Sequence, residues 1–190
     1  MVSFEDKPLL DLTVEEWEVY LDNDPSPGGV RLKLRKKSSS APGMTWDEAL
    51  EVALCHGWID GMLKRFDDDY VQQVFTPRRR NSSWSQINVA HVERLTREGR
   101  MRPPGLAEVE RAKSDGRWDQ AYRQKDAQPP ADLQAALEAN PAAAAFVDGL
   151  PSVERFRIYF RLSRIKTPAT RAARIADVVA KAARGERHYR

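Results

Sequence analysis

Residues 30–35 read Val-Arg-Leu-Lys-Leu-Arg, and this alternation decides the fold. In an extended chain successive side chains point to opposite faces, so Val30, Leu32 and Leu34 share one face and Arg31, Lys33 and Arg35 the other. The segment is a strand with one buried and one basic side. Upstream, Val14, Trp17, Val19 and Tyr20 with Leu21 fit a short helix begun near Thr13, with Glu16 three residues on completing a capping box. Asp24-Pro25-Ser26-Pro27-Gly28-Gly29 separates the two elements. Downstream, the loop Ser38-Ser39-Ser40-Ala41-Pro42-Gly43 leads to Thr45-Trp46-Asp47-Glu48, a second capping box, whose helix reaches His56 and stops at Gly57.

Residues 61–66 and 70–75 are rich in apolar and aromatic side chains and flank Asp67-Asp68-Asp69, which predicts a β-hairpin. Ser83-Trp84-Ser85-Gln86 reads as a further capping box, opening a helix that ends at Gly99. Pro103-Pro104-Gly105 starts another that reaches Gly116. Gln128-Pro129-Pro130 marks a boundary, preceded by residues 124–127 without apolar periodicity. Beyond it helices are expected over 132–139, 142–148, 152–165 and 170–184, with Pro141, Pro151 and Pro168 at their starts. The pattern predicts an α+β protein: residues 1–127 form a small mixed or antiparallel sheet flanked by helices, and residues 128–190 an all-helical C-terminal region.

Of the 190 residues 41% are hydrophobic and 31% charged, enough for a sizeable core. No stretch approaches the ~20 apolar residues of a membrane-spanning helix, and no leader pattern opens the chain, so no membrane insertion is expected. The single Cys55 forms no internal disulfide, which with the other signals favours a cytoplasmic protein. Charge is polarised: residues 1–24 hold eight acids and one Lys, whereas residues 152–190 hold eleven Arg or Lys and three acids.

No metal is expected, since His56, His91 and His188 fall in different segments, and no phosphate-binding loop or dinucleotide fingerprint implies a cofactor. Cys55 and His56 read as a buried helix end. More suggestive is Gly57-Trp58-Ile59-Asp60-Gly61, an indole and a carboxylate between glycines at a helix-to-strand junction. Asp60 there either faces a cleft or serves as a turn residue or ion-pair partner. Arg78, Arg79 and Arg80 precede a capped helix start, whose free amides favour anions, and a guanidinium can also stack on Trp84. On the C-terminal helices Arg157, Arg161 and Arg164 share a face, but no nucleic-acid-binding signature accompanies them, so nucleic acid is not the expected partner.

The runs Ala53-Leu54-Cys55-His56-Gly57-Trp58-Ile59-Asp60-Gly61, Phe75-Thr76-Pro77-Arg78-Arg79 and Trp84-Ser85-Gln86-Ile87-Asn88 resemble the hallmark sequence of the YdeI/OmpD-associated family, also labelled bacteriocin-protection proteins. The resemblance continues to Trp118, returns at 132–137 and 166–171, and departs at His56 and in the basic run 162–166. It implies a bacterial cytoplasmic protein with a small mixed sheet and a helical C-terminal region, associated with stress resistance.

Three readings follow. The first is a binding or stress-protection protein whose pocket, lined by Trp58, Asp60, Arg78, Arg79, Trp84 and Asn88, takes a small polar or anionic molecule. The second is an enzyme with Asp60 as acid or base and Arg78 stabilising developing negative charge. The third is an adaptor docking protein or nucleic acid on the basic C-terminal helices. The sequence carries no handle on the reaction or the oligomeric state.

Overall fold

Helix starts and strand alternation combine as the local chemistry dictates. The computed structural model describes residues 3–23, 25–123 and 126–188, so part of the 124–127 stretch lies outside the described residues. It divides into two units, residues 1–121 and 122–190, with the division at Tyr122 rather than at Gln128. Unit 1 contains β1 (Leu9–Leu10), α1 (Val14–Asp22), β2 (Val30–Arg35), α2 (Trp46–Cys55), β3 (Trp58–Arg65), β4 (Tyr70–Pro77), α3 (Gln86–Arg97) and α4 (Pro103–Ser114). Unit 2 contains α5 (Ala131–Glu138), α6 (Pro141–Asp148), α7 (Ser152–Ser163) and α8 (Pro168–Ala183). The protein is α+β.

The described strands form one sheet in the order β1-β2-β4-β3. β1 runs parallel to β2, whereas β2 with β4 and β3 with β4 are antiparallel. In β2 the alternation is realised: Val30, Leu32 and Leu34 are buried, and Arg31, Lys33 and Arg35 line the other face. The Thr13–Glu16 and Thr45–Glu48 capping boxes both form. In the hairpin turn Asp67 accepts from the amides of Asp69 and Tyr70. The third cap differs from the sequence expectation, because Ser85 and not Ser83 caps α3, accepting from the Asn88 amide. A residue bonding the amide three positions on must stand one before the first helical residue, and that position is Ser85.

Trp17 is the hub of the unit 1 core. Its ring meets Trp58 edge-on at 5.9 Å and Phe75 at 5.8 Å, and its Nε1 donates to the Ala49 carbonyl of α2 at 3.2 Å. That bond satisfies the indole inside an apolar layer and fastens α1 to α2. The ends of these helices are joined by His56, whose ring nitrogens face Val52 O at 2.9 Å and Asp22 Oδ1 at 3.0 Å. Where α4 meets the end of α2, Gly105 sits so close that a Cβ would lie 2.2 Å from the Cys55 carbonyl oxygen. Gly57, at φ +75°, supplies the left-handed turn between α2 and β3.

Unit 2 has its own core of Leu133, Leu137, Val147, Ile158, Leu162 and Val178. Arg171 of α8 pairs with Asp132 of α5 and donates to the Leu162 carbonyl of α7, so one side chain links three helices. No described helix is long and apolar enough to cross a membrane.

Candidate functional site

The sheet register carries Asp60 to the site. Trp58 pairs with Pro77 and Asp60 with Phe75, and the Arg78 amide then donates to the Gly57 carbonyl at 2.9 Å. The end of β4 is thereby tied to the turn that opens β3. Because Trp58 and Asp60 are two residues apart in β3, they share the face on which Phe75 is buried. Trp58 is taken up by the core, against Trp17. Asp60, two pairs further along, is half-buried. Burial raises its pKa above the ordinary value of 3.8, opposed by a hydrogen bond from the Trp46 side chain, one from its own backbone and the positive charge of Arg78. Asp60 and Arg78 therefore act on each other electrostatically.

Arg78 is only 6% exposed. Its guanidinium lies 3.6 Å from the centroid of the Trp84 ring, and Nη1 donates to the Ser83 carbonyl at 3.3 Å. Trp84, 2% exposed, packs its other contacts on Trp118, with ring centroids 4.9 Å apart. A second guanidinium reaches the same loop from the far end of the unit, for Arg117 donates to the Ser82 carbonyl at 2.7 Å and pairs with Asp115 at 2.8 Å. Two buried donors here lack an acceptor, namely Trp84 Nε1 and Arg117 Nη2. The loop leads directly into α3, whose first turn carries no acidic residue to offset its positive end.

Of the six residues singled out in the sequence, the structure brings Arg78 and Trp84 into contact, and Asp60 lies within reach of the Arg78 charge. Asn88 stands in the first turn of α3, half-buried, with its amide on Ser85 Oγ. Arg79 is exposed, and Ser82 Oγ accepts from its amide at 3.0 Å. Trp46, Arg117 and Trp118 join the site although sequence reasoning assigned them no part in it. Trp118 lies within the family resemblance, but no local periodicity or spacing ties residues 117–118 to a loop more than thirty positions earlier. Two open clefts lie elsewhere: one of about 560 Å³ edged by Asp11, Glu16, Lys33, Glu48 and Tyr70, and one of about 660 Å³ between α5 and α8, lined by Ala136, Ala172, Ile175 and Val179.

The remaining candidates are accounted for by packing. Cys55 is buried, and burial pushes its thiol up to about 11. His91 stands 3.9 Å from Glu51, which also binds Arg100 at 2.7 Å and pairs with Arg94, a cluster tying α2 to α3. Among the described residues no group of His, Cys, Asp and Glu is arranged to hold a metal.

No curated protein and no solved structure matches the chain. Two family models do. The model described as "Bacteriocin-protection, YdeI or OmpD-Associated" matches residues 126–185, which places that family's match in the C-terminal helices, outside the Gly-Trp-Ile-Asp-Gly and Thr-Pro-Arg-Arg runs. Those runs fall within residues 11–108, matched by the model described as "Domain of unknown function (DUF8412)". That second match spans just over half of the 190 residues, so the chain belongs to this family of unknown function and carries a YdeI or OmpD-associated region at its C-terminal end.

Proposed function

We propose that the protein is a cytoplasmic binding protein of the stress-protection type that holds a small anionic or polar molecule at the junction of β4 and α3. The observation that carries this reading is the pair of buried, unpartnered donors, Trp84 Nε1 within the loop that ends at the N-terminus of α3 and Arg117 Nη2 on a side chain bonded to that loop. A buried N–H without an acceptor costs about 1–3 kcal/mol, and an anion accepting from it removes that cost. The neighbouring charges point the same way. Arg78 and Arg117 bring two guanidiniums to consecutive carbonyls, those of Ser83 and Ser82, and the first turn of α3 adds unsatisfied amides. Arg78 is held flat by Trp84, so little side-chain entropy remains to be lost on binding.

A second reading, catalysis, is favoured by one specific observation. Burial raises the Asp60 pKa while Arg78 acts on it from nearby, and perturbed carboxyls beside cations cluster at functional sites. In that reading Asp60 is an acid or base and Arg78 stabilises negative charge that develops beside it.

Thermal-shift titration with inorganic phosphate and with a set of anionic metabolites tests the binding reading. A saturable rise in melting temperature is expected for the unaltered chain, with loss of that rise in Arg117→Gln and Arg78→Ala. Asp60→Asn should lose it for ligands that also offer a hydroxyl or amine. Equal responses from parent and both arginine variants would refute the site. Mass spectrometry of the same mixtures separates binding from turnover.

A further inference from the structure

The outer face of the sheet lies apart from this site, and there the chain binds a piece of itself. Arg31 and Lys33 of β2 and Lys64 of β3 project on this side, the basic face of the period-two strand. Residues 3–11 cross it. The Phe4 ring lies 5.2 Å from the Arg31 guanidinium and 4.2 Å from Lys64 Nζ. The Glu5 carboxylate bridges the same two cations at 3.0 and 2.6 Å, and Asp11 meets Lys33 at 2.8 Å. Lys33 in turn stands 4.2 Å over the Tyr70 ring.

The contacts extend to the main chain. Arg31 donates through Nε to the Lys7 carbonyl at 2.9 Å and through Nη2 to the Glu5 carbonyl at 3.2 Å, and its own amide donates to the Pro8 carbonyl at 2.8 Å. Leu9 and Leu10 then pair in parallel with Arg31 and Leu32. This is how an extended peptide is recognised: backbone bonds to a strand give affinity, and side-chain sites for an aromatic ring and for carboxylates give selectivity. Each of the three cations meets a carboxylate of the segment. Beyond these contacts the segment is held by the two-residue β1, by Lys7, which donates to the Gly28 carbonyl, and by Leu10, which packs half-buried against the core, while Leu9 is exposed.

The geometry points to a peptide-docking face on the outer side of β2, occupied in cis by residues 3–11, which accepts an extended aromatic-acidic segment of another protein when that strap is displaced. The three recognised backbone carbonyls favour a peptide over a nucleic acid, which has phosphates but no row of carbonyls spaced along a strand. A tethered occupant competes at a local concentration in the millimolar range, so weakening it should expose the face to ligand in trans.

The experiment uses the whole 190-residue chain and a fluorescein-labelled peptide copying residues 3–12, Ser-Phe-Glu-Asp-Lys-Pro-Leu-Leu-Asp-Leu. In fluorescence anisotropy the double substitution Phe4→Ala with Glu5→Gln should tighten peptide binding by about tenfold or more relative to the unaltered chain. Adding Lys64→Gln, which leaves the β2 pairing intact, or Arg31→Gln should remove that gain, with circular dichroism checking that each variant is folded. Equal affinity for the unaltered and loosened chains, or a gain that survives Lys64→Gln in a folded protein, overturns the proposal. So does a loosened chain that takes up a single-stranded oligonucleotide in preference to the peptide.

Discussion

The guanidinium of Arg78 lies face-on to Trp84, 3.6 Å from the ring centroid, and both side chains are buried. A buried cation is costly to keep and costly to truncate. Arg78→Ala should therefore lower stability by about 2 kcal/mol or more in urea titration, through loss of the stacked contact and the bond to Ser83. Arg78→Met, apolar and of similar length, should fall within about 1 kcal/mol of the parent. Both should lose the response to anions, which separates the role in binding from the role in packing.

Two aspartates should respond to pH with opposite signs. The Asp60 pKa is raised by burial, so the native state tolerates its neutral form and is penalised as pH climbs through the folded pKa. Asp60→Asn should therefore raise the melting temperature at pH 7, and the gain should fade below about pH 4, where both states hold a protonated carboxyl. The Asp132 pKa is lowered, chiefly by its hydrogen bond from Arg171. Its stabilisation is present above the unfolded value and is lost as pH falls through the folded one, so Asp132→Asn should lower the melting temperature at pH 7 and become neutral in acid. Asp132 is largely solvated, which keeps the second effect small.

Gly105→Ala should destabilise unit 1. The added methyl would press on the Cys55 carbonyl, which is backbone and cannot rotate away, so α4 must move from α2. Overpacking of this kind costs about 1–3 kcal/mol, more than the gain in helix propensity that alanine brings. Chemical denaturation measures it directly.

Cys55 should resist thiol reagents in the native protein. With its thiol held near 11 and its side chain buried, almost none is thiolate at pH 7.5. Ellman's reagent should report no free thiol until denaturant is added, when one equivalent should appear.

The legible parts were those whose signal is local. Alternation over residues 30–35, the paired Thr and Glu at the starts of α1 and α2, and the prolines before the C-terminal helices each act within a few residues, and the structure has those elements. β1 left no trace, because two residues cannot show a period and its pairing with β2 is made across a gap of more than twenty positions. Trp58 looked like a site residue from its glycine neighbours, yet its ring is buried in the core against Trp17. Arg117 escaped notice for the complementary reason: it reaches the Ser82 carbonyl only through the tertiary fold. The stacking of Arg78 on Trp84 was legible because both stand in one short loop of the chain, and a guanidinium so placed can lie on an indole.

The most direct test of the anion site follows the Trp84 indole N–H in a proton–nitrogen correlation spectrum, assigned by Trp84→Phe, during titration with inorganic phosphate at constant ionic strength. The account predicts that this one of the five indole signals moves saturably and that Arg117→Gln abolishes the movement. An indole signal that stays fixed while the protein binds phosphate, or that moves equally in the Arg117 variant, would contradict it.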